Sequence, residues 1–178
     1  MANTENKTKD QTYWALLDAA IELDIKKGHL KWTLSDLSRK SNITRSLIYY
    51  YFGKDKQDLL KEAIKLIGEE YIGLNEQRME LWKKGQFADS MKEARQFTEN
   101  APYLPLFVLE NRTKPNEIGD SIRSLEVDFE TKLKTFFPNC DETQITSIFA
   151  IYWGLAYSPK ISDASINQVI QMIITHFR

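Results

Sequence analysis

The sequence predicts an all-α fold, on three observations. Apolar residues recur at helical spacing along most of the chain, no alternating run of β-branched residues bounded by glycine turns suggests a sheet, and capping residues precede the early helical runs. The predicted architecture is an N-terminal three-helix helix-turn-helix domain over residues 1–63 and a C-terminal helical bundle over residues 64–178. With 178 residues, 42% of them hydrophobic, the chain buries a core without staples. One cysteine, Cys140, and two histidines, His29 and His176, supply neither an internal disulfide nor a zinc ligand set, so no metal and no cofactor is expected. The polar start MANTENKTKDQTYW has no signal-peptide core, and no apolar run approaches bilayer length. A soluble cytoplasmic protein without a membrane partner is the expectation.

In chain order, the first helix runs from near Gln11 to Lys27, with Trp14, Leu17, Ala20 and Ile21 on one face and Gly28 as its stop. Thr33 followed by Asp36 forms a capping box with a shortened acid and starts a second helix, which ends near Ser41 and Asn42. Asparagine tolerates the left-handed conformation that often closes a helix. Thr44 caps a third helix, with Ile43, Leu47 or Ile48, and Phe52 as its apolar contacts. After Gly53, Leu59, Leu60, Ala63, Ile67, Tyr71 and Leu74 mark a longer linking helix. Further helices break around Pro102 and Pro105 and around Pro115. Three final helices carry stripes at Ile118 to Phe136, Ile145 to Leu155 and Ile166 to Phe177, separated by Pro138 and Pro159.

The third helix poses a problem in burial. Its run Tyr49, Tyr50, Tyr51 and Phe52 points all round a cylinder at about 100° per residue, so one core cannot cover every ring. Two short capped helices across a tight turn form a helix-turn-helix, whose second helix enters the DNA major groove. With Ile48 and Phe52 inward, Arg45, Ser46, Tyr49 and Tyr50 lie wholly or partly outside. Tyrosine hydroxyls donate to phosphate while the rings pack on sugar or thymine methyls, and arginine reads guanine with two parallel bonds. Thr33 and Thr44 sit at helix starts that suit phosphate, although both would be caps in any protein; Lys56 opens the fourth helix as another phosphate candidate, and Tyr51 also fits the core. From Lys26 to Lys56 there are eight basic residues against two acidic ones, within a chain of net charge −1. A basic module on an acidic body fits phosphate binding, and solvated helix faces explain it equally well.

At this point the run LLDAAIELDIKKGHLKWTLSDLSRKSNITRSLIYYYFGKDKQDLLKEAI resembles the N-terminal domain of the tetracycline-repressor (TetR) family of bacterial transcriptional regulators. The matching pieces are Asp18 to Ala20, Gly28, the TLSDLS helix, the turn into ITRS, the IYYYF helix and the K-x-x-LL opening of the fourth helix, covering Leu16 to Ile64. The resemblance implies an all-helical homodimer joined through its last two helices, two DNA-binding heads on a palindromic operator, and a body that often holds a small-molecule pocket. It implies DNA contacts at Thr33, Thr44, Arg45, Ser46, Tyr49, Tyr50 and Lys56. Four departures stand out: Asp24 where the family has a core phenylalanine, Asn42 for the turn glycine, Leu47 for a small or hydroxyl residue, and a Phe52 to Lys56 connection one residue longer.

The body is rich in aromatics, of which Trp82, Tyr103, Phe107, Tyr152 and Trp153 are candidates to line a pocket for a small apolar or aromatic effector, with core packing as the plainer role. For the dimer contact the candidates are Ile148, Tyr152, Ile166, Ile170, Ile173 and Phe177. Ile151, Trp153, Met172 and Ile174 lie off the main stripes and suggest a second buried face, or a thicker body. The expected function is a dimeric repressor released from its operator by a ligand. A DNA-binding architectural or division-control protein of the same fold, recruiting a protein partner, is the alternative. Catalysis is not expected, since no glycine-rich phosphate loop, nucleophile elbow or metal-spaced His and Cys cluster is present.

Overall fold

A computed structural model describes residues 9–71, 75–158 and 161–177, and every described element is helical. In chain order these are α1 (Lys9–Lys27), α2 (Leu34–Ser41), α3 (Arg45–Phe52), α4 (Lys56–Leu66), α5 (Glu76–Lys83), α6 (Phe87–Asn100), α7 (Tyr103–Asn111), α8 (Glu117–Phe136), α9 (Glu142–Tyr157) and α10 (Asp163–Phe177). A π-helical turn, Ile67–Tyr71, continues α4. Leu74, the last apolar position expected of the linking helix, and Pro159, the expected break before the last helix, lie outside the described residues, as does the polar start at residues 1–8. Among the described residues, no helix is long and apolar enough to cross a membrane.

Local chemistry sets most boundaries. Thr33 and Asp36 form the expected capping box, and Asp141 with Gln144 forms another at the start of α9. Asn75, Asn116 and Asp55 cap α5, α8 and α4 through their side chains. Pro102 stands at the N-cap of α7 as expected, but Pro105 is inside its first turn rather than in a break. A proline is tolerated there because its missing N–H would have had no helical partner.

Packing places α1 across α2, α4 and α7, while α6 lies on α9 and α10 and α4 lies on α8. The body core centres on Trp82, whose ring meets Phe87, Phe129, Phe136 and Tyr152 at centroid distances of 5.1 to 5.7 Å. Gly68, in the π turn, sits directly against the Leu125 side chain, so any larger residue would displace that leucine from between α4 and α8.

The expected dimer residues have packing partners within the protomer. Ile148, Tyr152, Ile166, Ile170 and Ile173 are buried inside their own protomer, and Phe177 is half-buried. Their stripes serve the monomer's core because α9 and α10 pack onto α6. The off-stripe residues divide: Trp153 is buried and Ile174 half-buried, whereas Ile151 and Met172 are 37% and 62% exposed.

Candidate nucleic-acid interface

The turn between α2 and α3 is built from side chains one would otherwise count as polar filler. Asn42 adopts the left-handed conformation at φ 56°, and its N–H donates to the carbonyl of Ser38. Ile43 N–H reaches the same carbonyl at 3.2 Å, while the Ser38 hydroxyl donates back to the Ile43 carbonyl at 2.6 Å. Ser41 donates to Leu37 O at 2.7 Å. The two helices therefore enter and leave the turn at a fixed angle, with Leu37, Ile43 and Ile48 buried beneath it.

That geometry resolves the aromatic run. Ile48 faces the core, Tyr51 and Phe52 are half-buried against Tyr13 at 6.2 and 5.0 Å, and Tyr49 and Tyr50 are 40% and 79% exposed. Arg45 and Ser46 are exposed beside them, with Arg45 reaching the Ser35 hydroxyl only at 3.5 Å. Thr44 caps α3 by accepting from Leu47 N at 3.4 Å. Leu47, a possible inward contact in the sequence reading, instead turns outward and adds an apolar tip to the surface of α3. Such a tip suits a thymine methyl.

Phosphate anchoring is more selective than the charge count suggests. Lys26 and Lys40 both pair with Glu22, at 2.5 and 2.7 Å, and Lys27 pairs with Asp36 at 2.8 Å. The Lys27 ammonium, with the two Thr33 hydrogen bonds, holds the Asp36 carboxyl well below the usual range. This fixed anion occupies the Thr33 N–H and hydroxyl, and the Asp36 N–H is taken by the Thr33 oxygen. Only the N–H groups of Leu34 and Ser35 remain for an outside acceptor at the start of α2. Among the exposed cations, Arg39 lies 3.9 Å from Asp36, whereas Lys31 and Lys54 pair with neither Glu22 nor Asp36, and Lys54 lies 6.0 Å above the Tyr49 ring. Nothing in the spacing of the sequence tells which loop lysine leans over the third helix.

Lys56 is held against the protein. Its ammonium donates to the carbonyls of Leu30 and Trp32 at 2.5 and 2.8 Å and lies 5.4 Å from the Trp32 ring centre. Two of its three donors are thus committed to the protein. The same loop explains Asp24, which is buried and accepts from Leu30 N at 2.8 Å and Trp32 Nε1 at 2.9 Å, with His29 Nδ1 at 3.0 Å. Leu30 is held at φ 56°, a conformation that a non-glycine residue keeps only when its surroundings over-determine it. Asp24 binding its N–H and Lys56 its carbonyl do so. An aromatic residue at position 24 would fill space but supply no acceptor.

Of the proposed pocket residues, Trp82, Phe107, Tyr152 and Trp153 are buried and Tyr103 is half-buried. Trp82 and Tyr152 share a wall of a void of about 20 Å³ with Ile170 and Ile173, room for one water and no organic ligand. Tyr103 instead stacks beneath the Lys26 ammonium at 4.9 Å. The five residues do not form one open cavity. Nearby, Trp82 Nε1 is shielded from solvent without a hydrogen-bond partner among the described residues, while the shielded Ser90 Oγ and Tyr152 Oη face each other without a well-formed hydrogen bond. Sequence spacing did not single out Ser90.

An exposed, capped helix with Arg45, Tyr49 and Tyr50 on its outer face, mounted on a locked turn, defines the head of a helix-turn-helix DNA-binding protein. Residues 16–63 match the family model for bacterial regulatory proteins of the tetR family. The front module is therefore similar to that of TetR-family transcriptional regulators. The whole chain is similar in fold to the fatty acid degradation regulator FadR from Bacillus halodurans, at 16% identity and a TM-score of 0.67, over 93% of this chain and 100% of that one. It is also similar to a HlyIIR mutant protein with residues 169–186 replaced by a linker, at 15% identity and a TM-score of 0.62, over 96% and 99% of the two chains. No curated protein matches the chain.

Proposed function

We propose that the chain is a cytoplasmic, homodimeric repressor that binds a palindromic operator and is released by a small apolar or aromatic ligand. Residues 1–63 act as the DNA-binding head and residues 64–178 as the effector-binding and dimerisation domain. The observation that carries the reading is the outward face of α3, where Arg45, Ser46, Tyr49 and Tyr50 stand exposed with little to do inside the protomer. Thr33 and Thr44 present helix starts to phosphate beside them.

The dimer contact is best supported on the outer face of α9 and α10. Ser147, Ala150, Ile151 and Gly154 line one side of α9, and Gln168, Gln171, Met172 and Thr175 line one side of α10. Small residues let a second copy approach closely, and a two-fold contact there would hold two α3 helices about 34–36 Å apart. For the effector, the partnerless Trp82 Nε1, with the shielded hydroxyls of Ser90 and Tyr152 facing each other inside an aromatic shell, supports a site that opens when a ligand inserts. Burial pushes the Tyr152 phenol up, which keeps it a neutral donor. A body state that spaces the heads wrongly would then be the one the ligand stabilises.

Genome-wide occupancy tests this reading against the architectural alternative. One or a few promoter sites, vacated on exposure to the ligand, fit a repressor. Many scattered sites with a co-purifying protein partner would replace it with the architectural role.

A further inference from the structure

Trp14 and Asp18 are four residues apart on α1 and so lie on one face, one turn above the other. That face crosses the end of α6, where Phe97, Asn100 and Ala101 complete the walls of an open groove of about 550 Å³ with Ala15 at its floor. The volume is that of a small-molecule site. Trp14 meets Phe97 edge-on at a centroid distance of 4.7 Å, giving the groove two aromatic walls.

Its polar character is negative and uncompensated. Asp18 Oδ1 is shielded from water and has no hydrogen-bond partner among the described residues. The two lysines that could serve this side of α1, Lys26 and Lys40, are both bound to Glu22, one turn further on. Burial, with the Glu22 charge, raises the Asp18 pKa, and Lys40 opposes this only in part. At the opposite wall α6 ends at Asn100 with no basic residue in its last turn, so the negative end of its dipole also faces this region. Oδ2 is not shielded in this way, and it is the carboxylate oxygen that a ligand in the groove reaches.

We infer that the groove between α1 and the end of α6 binds a small organic ammonium, its N–H groups donating to the Asp18 carboxylate and its apolar body lying against Trp14 and Phe97. The aromatic faces favour a cation over an anion, and a neutral ligand would leave the carboxylate unmatched. This site is separate from the Trp82 and Tyr152 core, and its occupancy is measurable without DNA.

The test uses the full chain labelled with ¹⁵N, titrated with phenethylammonium and, in parallel, with phenylacetate, while the tryptophan indole N–H signals are followed. Expected is a saturable shift of the Trp14 indole with a dissociation constant in roughly the millimolar range or tighter, and at least tenfold weaker binding of phenylacetate. Asp18→Asn should weaken phenethylammonium at least tenfold while melting no lower than the parent, because it removes a partnerless charge. Three results would overturn the inference: equal binding of both probes, unchanged affinity in Asp18→Asn, or no shift of Trp14 at roughly 10 mM probe. A shift confined to the Trp82 indole would assign the ligand to the body core and likewise overturn it. Should Asp18→Asn fail to fold, the comparison of the two probes on the parent chain still decides.

Discussion

Arg45 and Tyr49 carry the proposed base reading, and neither belongs to the buried core. Replacing either with alanine should weaken operator binding by about 1–3 kcal/mol, roughly 5- to 150-fold, with an unchanged melting temperature. Equal affinity in both variants would remove α3 from the DNA surface. Lys56 behaves differently, because its ammonium holds two carbonyls and spans to the ring of Trp32. Lys56→Met should cost about 1–3 kcal/mol of stability and leave the salt dependence of DNA binding nearly unchanged. A salt slope lower by about one, with stability intact, would restore it as a phosphate ligand. Which way a lysine points was not legible in the sequence, since its partners come from a loop 24 to 26 residues earlier. The same holds for Asp24, whose value rests on three donors from that loop.

At the scale of elements, local signals were strong where the chemistry is local. The capping box at Thr33, the left-handed Asn42, the glycine at Gly53 and the three terminal helices all follow from residues within one turn of the boundary. What spacing does not reveal is which of two apolar faces a helix shows to its own core. On α9 and α10 the regular stripe went inward, so Ile170 is a core residue and Met172 an exposed one. Ile151→Asp and Met172→Asp should therefore yield folded monomers in sedimentation, whereas Ile170→Asp should destabilise the protomer by roughly 3 kcal/mol or more. A stable dimer in both exposed variants would move the interface elsewhere.

Taken as one molecule, the chain joins a head whose geometry is locked by hydrogen bonds to a body whose core keeps polar atoms unmatched. Helix α1 connects the two by packing on α2 and α4 and also on α7. The Tyr152 hydroxyl faces only Ser90 and makes no well-formed hydrogen bond, so Tyr152→Phe should melt close to the parent temperature and lose affinity for the effector. A drop of several degrees in a thermal scan would show that the hydroxyl is already satisfied, and would remove the main support for a ligand in that core. The all-helical class and the DNA-binding front were legible in the sequence because period and caps are short-range. A void of about 20 Å³ was not, because it depends on how five helices meet.

The most direct measurement is a titration of the purified protein against the intergenic duplex upstream of its own gene and an unrelated duplex of equal length, at two salt concentrations. Phosphate contacts alone give affinity without sequence choice, and varying salt separates the two. The account predicts that the upstream duplex binds tighter by about 10³-fold or more, and that this preference disappears when Arg45 and Tyr49 are both replaced by alanine. Equal, weak and strongly salt-dependent binding of upstream duplexes from this and every neighbouring gene would contradict sequence-specific reading by α3.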